Sequence, residues 1–372
     1  MEPNKDSSHP GFWNQKRVYL TGHTGFKGSW LSHYLLSLGA QVAGYALPPP
    51  TTPSLFELSG LADSMRHTIG DILDYTSLIE DIRSFRPEIV FHLAAQALVF
   101  ESYRKPSDTF ATNVMGTVYL LEAIRHSPGI RAVVVITSDK CYENREWQRG
   151  YRETDTLGGF DPYSTSKACA ELVTQCFRRS FFPSPNGDSE TLSIATARSG
   201  NVIGGGDWAP KRLVPDCLRA MEAGEQVVLR NPESTRPWQH VLDSLSGYLL
   251  LAERLFFEGC AFQEAWNFGP LPADEKPVLW IVQRLLYLLK SKAEIRISNA
   301  TSVHEGGRLA LDCSKAISRL GWVPLWDVEA AVAKTAQWIL NYRQGKPSAE
   351  ICRTQIREYE HEKLMKKGET SG

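Results

Sequence analysis

The chain has 372 residues, of which 42% are hydrophobic and 22% are charged, and its formal net charge is −1 at pH 7. This length allows a large core with one or two domains, and the near-neutral charge gives no general basic field for nucleic acid. Seven cysteines without a C-x-x-C pair argue against a disulfide framework, so we expect a cytoplasmic protein. No apolar run is long enough for a membrane span, and the nine histidines show no metal-binding spacing.

Strand and helix patterns alternate along the first part of the chain. The predicted strands are 17–21, 41–47, 66–69, 88–94 and 131–137. The predicted helices are 30–38, 75–85 and 111–124. This alternation predicts an α/β fold with a Rossmann-type doubly wound parallel sheet. Glycine and proline clusters after about residue 200 predict a smaller, interleaved α/β substrate lobe.

Three glycines follow the first strand at a spacing of three, namely Gly22, Gly25 and Gly28, and a helical pattern comes next. Glycines in this context let the backbone approach a pyrophosphate, while the helix N-terminus stabilises its negative charge. The sequence therefore predicts a dinucleotide site, with a tight structural turn as the alternative. His23 and Lys27 lie inside the loop and could add direct phosphate contacts.

The second strand does not distinguish NAD from NADP. It ends without the acid that binds a ribose diol and without an arginine that would bind a 2′-phosphate. Asp71, after the third strand, could hydrogen-bond adenine. A turn or helix-capping role for Asp71 is nearly as strongly expected.

A helix opens at Asp161-Pro162, which suit the N-cap and the first turn. Tyr163 and Lys167 are four residues apart and therefore share one helix face. A lysine ammonium beside the phenol would lower the pKa of Tyr163 from about 10, so that it can take a proton from an alcohol. A solvated Tyr–Lys pair is the alternative.

Ser138, Asp139 and Lys140 follow the predicted strand at 131–137. Ligands of doubly wound sheets bind beyond the carboxyl ends of the strands, so a hydroxyl, a carboxyl and an amine reach the expected site together. Burial there would raise the pKa of Asp139 and favour its role as a proton donor. The alternative is a simple strand-end turn with Lys140 in solvent.

These stretches resemble the extended short-chain dehydrogenase/reductase family and, within it, the 4,6-dehydratases that act on CDP-glucose. The resemblance covers about residues 12–340 and includes the substrate lobe. The matching runs are TGHTGFKGSWL from Thr21, FHLAAQ from Phe91, TNVMGT from Thr112, TSDKCYENREW from Thr137, DPYSTSKACAELV from Asp161, ARSGNVIGGGDW from Ala197, RPWQHVL from Arg236 and WNFGP from Trp266.

The resemblance implies NAD as cofactor, CDP-glucose as substrate and a homodimer or homotetramer. The implied catalytic residues are Ser138, Asp139, Lys140, Tyr163 and Lys167. The implied cofactor contacts are Gly22, His23, Gly25, Phe26, Lys27, Gly28, Asp71, Ile72, Leu93, Ala94, Ala95, Tyr163 and Lys167. The implied substrate contacts are Gln96, Asn113, Asn201, Arg212, Arg236 and Arg308.

The implied reaction converts CDP-glucose to CDP-4-keto-6-deoxyglucose and water, a step of deoxysugar biosynthesis of the O-antigen type. Ser138 would hydrogen-bond the C4 oxygen, Asp139 would act as general acid, and Lys140 stands where relatives have the base. Phe100 departs from the arginine expected at its position, which would alter the pocket. The alternatives are another nucleotide-sugar dehydratase or epimerase of the family and, less expected, a non-catalytic NAD-binding protein.

The predicted domains follow from the same patterns. We expect an NAD-binding Rossmann domain over 12–200 with about 237–270, and a sugar-nucleotide lobe over 201–236 and 271–345. Residues 184–190 are predicted to form a polar loop, and residues 1–11 and 355–372 are predicted to be loose termini.

Overall fold

The computed structural model describes residues 9, 11–182, 192–298 and 308–369, and the predicted loop at 184–190 lies outside these ranges. The strands are β1 (Arg17–Thr21), β2 (Gln41–Ala46), β3 (Arg66–Ile69), β4 (Ile89–His92), β5 (Ala132–Ile136), β6 (Ser193–Ser199), β7 (Val202–Ile203), β8 (Val227–Leu229), β9 (Thr235–Arg236), β10 (Gln239–His240), β11 (Ala265–Phe268), β12 (Lys276–Pro277) and β13 (Ile295–Ile297). The helices are α1 (Phe26–Ser37), α2 (Leu55–Leu58), α3 (Tyr75–Phe85), α4 (Val99–Arg104), α5 (Pro106–Phe110), α6 (Gly116–Arg125), α7 (Pro162–Phe181), α8 (Leu213–Ala223), α9 (Val241–Glu258), α10 (Val278–Leu288), α11 (Val328–Arg343) and α12 (Ser348–Glu369).

Seven strands form one central sheet in the order β11-β6-β5-β4-β1-β2-β3, and every neighbouring pair in it is parallel. This confirms the predicted doubly wound α/β fold. The remaining strands form three two-stranded pairs, β7 with β10, β8 with β13 and β9 with β12, all after residue 200. None of the helices in the described ranges is both long and apolar enough to cross a membrane.

The sheet is covered by helices on both faces, which explains its nearly continuous apolar strands. In β1, Val18 and Leu20 join the core that contains Trp30 of α1, whereas Tyr19 between them joins the core on the opposite face. That second core includes Leu78 of α3 and side chains of α6. Successive strand residues point to opposite faces, so each strand contributes to both cores.

One predicted helix begins at a different residue in the structure. The helix predicted from residue 30 starts at Phe26, before the last glycine of the loop. The helical run predicted from residue 111 begins with a π-helical turn at Ala111–Met115 and continues as α6 from Gly116. Periodicity locates the apolar face of a helix well but its first turn poorly, because first-turn residues need not contact the core.

The C-terminal segment corrects one prediction. Residues 355–369 belong to α12 and are not a loose terminus. Ile356 and Tyr359 are almost fully buried, and the Tyr34 hydroxyl of α1 donates a hydrogen bond to the Glu360 carboxylate. The polar composition of this helix masked its buried stripe, which packs on α1, the helix that follows the glycine loop.

The same junction holds a fully buried carboxyl group. Asp243 of α9 accepts hydrogen bonds from the Leu325 amide (2.7 Å) and the Tyr359 hydroxyl (2.9 Å). Burial raises the pKa of Asp243 to about 7, and the hydrogen bonds offset only part of this effect. Asp243 therefore holds a proton more tightly in the folded chain than in the unfolded chain.

This pKa shift predicts a pH-dependent effect of Asp243→Asn. The stability that protonated Asp243 contributes is complete below about pH 4 and is lost as the pH rises through 7. Asparagine cannot ionise, so the variant does not lose this stability. Its free energy of unfolding should therefore rise relative to that of the wild type by up to a few kcal/mol between pH 4 and pH 8. Denaturant unfolding at both pH values measures this change. Asp63→Asn, at an exposed aspartate, serves as the control. If the free energies of unfolding of Asp243→Asn and the wild type differ by the same amount at both pH values, the prediction is contradicted.

Candidate active site

The carboxyl ends of β1, β4, β5 and β6 meet at one edge of the sheet, because these strands are parallel neighbours. The glycine loop follows β1, residues 93–95 follow β4, residues 138–140 follow β5, and residues 200–201 follow β6. Helix α7 packs beside this edge, against β6 and the turn after β5. The candidate site is therefore assembled from segments that are far apart in the sequence.

The glycine loop has the shape of a dinucleotide cradle. Gly22 has a φ of 77°, and a Cβ placed there would lie 2.6 Å from the Ala94 amide nitrogen. A Cβ at Gly28 would lie 2.2 Å from the Gly22 carbonyl oxygen, so helix α1 approaches the loop as only glycine permits. No side chain among the described residues caps α1 at Gly25, and its first turn carries no acidic residue. The free N–H groups of this helix end suit a pyrophosphate.

Other predicted cofactor contacts surround the loop. The Leu93 amide donates to the Thr21 carbonyl (3.1 Å), and the Ala94 amide donates to the Thr21 hydroxyl (3.2 Å). Residues 93–95 are half-buried along this edge. Ile72 is buried, whereas Asp71 is exposed and accepts from the Leu73 amide (2.9 Å) in a turn. A contact of Asp71 with adenine stays a prediction. Phe26 is half-buried in the first turn of α1.

His23 and Lys27, the two side chains of the loop predicted to contact phosphate, both contact other protein side chains. The His23 ring is fully buried and contacts the His67 ring with an Nε2–Nδ1 distance of 2.7 Å. Burial lowers the pKa of His23 to about 3, so the ring is neutral, and a phosphate contact by His23 stays a prediction. Lys27 Nζ donates to the hydroxyls of Ser199 (2.9 Å) and Tyr248 (2.8 Å). The positions of these two residues in the loop did not indicate where their side chains point.

Helix α7 positions the predicted Tyr–Lys pair. The Asp161 carboxylate accepts from the Ser164 amide at 2.9 Å, which confirms the predicted N-cap, and Pro162 occupies the first turn. Tyr163 and Lys167 are both buried. Lys167 Nζ donates to the Ile136 carbonyl at the end of β5 (3.2 Å). Lys167 is thus fixed to the end of the strand that residues 138–140 follow.

The expected net lowering of the Tyr163 pKa is not found, because burial outweighs the favourable charges around the phenol. Burial raises the pKa of Tyr163 to about 12, and the Ser138 hydroxyl and the charge of Arg212 lower it by less than burial raises it. Burial also lowers the pKa of Lys167 to about 8, with a further lowering by the nearby Lys27. The expectation neglected that burial disfavours the charged form of both groups.

Ser138, Asp139 and Lys140 form a turn directly after β5. The Ser138 hydroxyl donates to Asp139 Oδ1 (2.9 Å) and accepts from the Lys140 amide (3.2 Å). Asp139 is 3% exposed, and its Oδ2 accepts no hydrogen bond from the part of the chain that the structure describes. Burial raises the pKa of Asp139 despite the charges of Lys140 and Arg236, which confirms the predicted direction. Such a carboxyl group is suited to hold and donate a proton.

Three predicted arginines come from the region after residue 200 and have different partners. Arg212 pairs with Asp207 (3.0 Å) and acts electrostatically on Tyr163, while Arg236 acts on Asp139. Arg308 forms a β-bridge with Thr235, the residue before Arg236, and its guanidinium pairs with Glu275 (2.9 Å). The structure therefore places Arg212 near Tyr163 and Arg236 near Asp139, whereas Arg308 is linked to the site only through its bridge to the residue before Arg236.

Three other residues predicted to contact the substrate form hydrogen bonds within the protein. Asn201 is half-buried after β6, and its carbonyl accepts from the Gln239 amide (3.2 Å). The Asn113 side chain accepts from the Gln96 amide (2.8 Å) and donates to the Ser166 hydroxyl (2.8 Å). The Gln96 side chain binds Leu98 and Thr109. Asn113 and Gln96 thus fasten the segment after β4 to α7, and substrate contacts by them stay predictions.

Sequence reasoning missed a buried ion pair behind the turn. Glu171 of α7 and Arg198 of β6 are 2.8 Å apart and almost fully buried. Two signals were present in the sequence. Glu171 follows Lys167 by four residues and so shares its helix face, and Arg198 is a charged residue in an otherwise uncharged strand.

A glycine loop, a buried Tyr–Lys pair and a parallel doubly wound sheet together define a Rossmann-fold protein of the short-chain dehydrogenase/reductase type. The family model described as "NAD dependent epimerase/dehydratase family" matches residues 18–262, and the chain belongs to this family. NAD is the cofactor of the family, and the glycine loop described above fits its pyrophosphate.

Relatives with assigned activities agree with this membership. The chain is 51% identical to the CDP-glucose 4,6-dehydratase of Salmonella typhimurium, over 94% of this chain and 97% of the relative. A solved dTDP-glucose 4,6-dehydratase of Streptomyces venezuelae with NAD bound matches with a TM-score of 0.75 and 24% identity, covering 90% and 99% of the two chains. A UDP-glucose 4-epimerase of Thermotoga maritima matches with a TM-score of 0.74 and 22% identity, covering 88% and 99%. The two structures support the fold.

The environment of Asp139 generates a prediction for Gly200→Ala. A Cβ at Gly200 would lie 2.4 Å from Asp139 Oδ2 and 2.8 Å from Pro237 Cγ, so it would displace the carboxyl group. We expect turnover to fall about 100-fold, because a misplacement of about 1 Å has that effect on a catalytic group. Steady-state kinetics together with circular dichroism test this, with Ser37→Ala as the control. Wild-type turnover in a folded Gly200→Ala variant would contradict it.

Proposed function

We propose that this chain is a CDP-glucose 4,6-dehydratase, a hydro-lyase that forms CDP-4-keto-6-deoxyglucose and water. The observation that carries the proposal is the buried Asp139 with a raised pKa, next to Lys140 and close to Tyr163. Alcohol oxidation alone needs only the Tyr–Lys pair, whereas dehydration also needs a proton donor and a base. The choice of CDP-glucose rests on the 51% identity to the Salmonella enzyme over nearly the whole chain.

The first step oxidises the sugar at C4. Tyr163 acts in its phenolate form, takes the C4 hydroxyl proton and is left as a neutral phenol. The ammonium of Lys167, held at the Ile136 carbonyl, stabilises the phenolate before this transfer. Ser138 hydrogen-bonds the C4 oxygen. NAD held by the glycine loop would supply the hydride acceptor for C4 and the hydride donor for C6. The ketone makes the C5 proton acidic, which is the purpose of this step.

The second step eliminates water across C5 and C6. Lys140 takes the C5 proton, and Asp139 gives its proton to O6 as the C6–O bond breaks, so water leaves. The proton held by Lys140 returns to C5 as C6 is reduced, which completes the product. The raised pKa of Asp139 supports its role as the acid, because an ionised carboxylate has no proton to donate.

We also propose the remaining binding roles and the domain division. Arg212, Arg236 and Arg308 supply positive charge for the pyrophosphate of the sugar nucleotide, with Asn201 at the sugar. Residues 12–200 with about 237–270 bind NAD, and residues 201–236 and 271–345 bind the sugar nucleotide. The parallel pairing of β11 with β6 of the central sheet supports assigning the segment around 265–268 to the NAD-binding domain.

The proposal predicts a substrate preference that can be measured directly. Purified protein with NAD⁺ should convert CDP-glucose to a 4-keto-6-deoxy sugar with a kcat/KM at least about tenfold above those for TDP-glucose and UDP-glucose, since a site built to hydrogen-bond one base rejects others strongly. Chromatography and the absorbance of the keto sugar in alkali detect the product. Tyr163→Phe should lower kcat about 10²–10⁴-fold.

Two results would count against this assignment. Equal turnover of the three substrates would remove the CDP-glucose preference. Formation of a C4 epimer without a keto sugar would instead support the epimerase alternative.

We further propose a cytoplasmic homodimer. All seven cysteines, each within the described ranges, are free thiols, as expected in a reducing compartment. Large apolar side chains are exposed near the packed helices α4 to α7, among them Leu172 (54% exposed), Phe181 (48%), Tyr103 (43%) and Met115 (42%). A second copy of the chain would bury these side chains, and a homotetramer is the larger alternative.

A charge on this surface should separate the subunits. We expect Leu172→Glu to shift the protein from dimer to monomer, because an unpaired carboxylate is costly in an apolar interface. Light scattering coupled to size-exclusion chromatography measures the mass. Leu364→Glu, at a 66% exposed leucine of α12, is the matched control. A wild-type monomer, or a Leu172→Glu dimer of unchanged stability, would contradict the proposed interface.

A further inference from the structure

Glu171 and Arg198 form the centre of a buried polar network. Glu171 Oε2 accepts from Arg198 Nη2 (2.8 Å) and from the Thr196 hydroxyl (2.7 Å). Glu171 Oε1 accepts from the Thr137 hydroxyl (2.5 Å). Arg198 Nη1 donates to the Tyr142 hydroxyl (2.7 Å), which in turn donates to Asn267 of β11 (2.8 Å). The network therefore joins α7 to β6, to β11 and, through Thr137, to the end of β5.

The partners of this pair enclose the acid–base turn, which we define as residues 138–140. Thr137 directly precedes the turn and is bound to Glu171. Tyr142 lies two residues after the turn and is bound to Arg198, with its ring 4.9 Å from the guanidinium. Both ends of the turn are thus held by one ion pair, and one member of that pair lies a single helical turn beyond Lys167.

Both members of the pair are charged in spite of their burial. Burial alone would raise the pKa of Glu171, but Arg198 and the hydroxyls of Thr137 and Thr196 outweigh it, and the net shift is downward. The pKa of Arg198 is correspondingly raised by Glu171, although burial alone would lower it. Buried ion pairs often add little stability relative to apolar side chains of similar size, so stability alone is a weak explanation for this pair.

We propose that Glu171 and Arg198 are positioning residues that hold the acid–base turn in register with the helix face of Tyr163 and Lys167. The inference rests on the proposed function, and it assigns the pair an effect on the elimination step. Helix α7 has its own N-cap and a long packed face, so its position does not depend on the pair alone. The turn is short, and its flanking residues are both fastened to the pair.

The first experiment compares Glu171→Gln with Asp81→Asn. Asp81 is a matched control, since it is a carboxylate that accepts from Arg66 (2.5 Å), Thr68 (3.1 Å) and Tyr19 (2.8 Å) and joins α3 to β1 and β3, away from the turn. With CDP-glucose we expect Glu171→Gln to lower kcat about 100-fold with KM changed less than about threefold. Enzyme-bound NADH, followed at about 340 nm, should accumulate because elimination slows more than oxidation. Asp81→Asn should show neither effect, and an equal loss of kcat in both variants, or a loss without NADH, would overturn the inference.

A second experiment separates positioning from stability. The double variant Glu171→Met with Arg198→Met removes both buried charges, so its melting temperature should recover relative to Arg198→Met alone. Its kcat should stay low, because Thr137 and Tyr142 have lost their anchors. Recovery of kcat together with the melting temperature would show a merely structural pair and overturn the inference.

A third measurement needs no substrate. Backbone amides at 140–142 are hydrogen-bonded within the turn, for example Cys141 N to the Ser138 carbonyl (3.2 Å). Hydrogen–deuterium exchange of a peptide covering 138–142 should be at least about tenfold faster in Glu171→Gln and unchanged in Asp81→Asn. Unchanged exchange in Glu171→Gln overturns the inference even if CDP-glucose proves not to be the substrate. Absence of wild-type turnover of CDP-glucose instead refutes the proposed function.

Discussion

The parallel direction of the seven central strands is the constraint on which the site depends. Because the strands share a direction, their carboxyl ends lie at one edge, and the segments that follow β1, β4, β5 and β6 become neighbours. Helices cover both faces of the sheet, so polar groups delivered to this edge enter a partly buried region. The resulting desolvation sets the pKa shifts of Asp139, Tyr163 and Lys167.

Two carboxyl groups near the end of β5 respond to that burial in opposite ways. Glu171 accepts hydrogen bonds from an arginine and two threonines and is held in its ionised form. Asp139 has one hydrogen-bonding hydroxyl beside it, and burial favours its protonated form. The difference lies mainly in the arginine paired directly with Glu171, to which the two threonine hydroxyls add, and not in the residue type. It separates a group suited to hold the structure from a group suited to donate a proton.

Local patterns predicted the elements that local physics controls. β1, β3 and α3 have the predicted bounds, since apolar periodicity and end signals define them within a few residues. The N-cap at Asp161 was predictable because capping involves only neighbouring amides. The features that local patterns did not contain involve distant partners. The inward direction of His23 depends on His67, and the docking of 355–366 depends on packing against α1.

The sequence by itself determined the order of βα units, the glycine loop, the Tyr163–Lys167 spacing and the membership of the family, because each is written in short stretches of residues. Only the tertiary structure decided which of these groups are charged. The pKa of Tyr163 reflects burial among segments from β5, α7 and the region of Arg212, and no local pattern contains that information. The same holds for Glu171 and Arg198, whose contact joins residues 27 positions apart through the sheet.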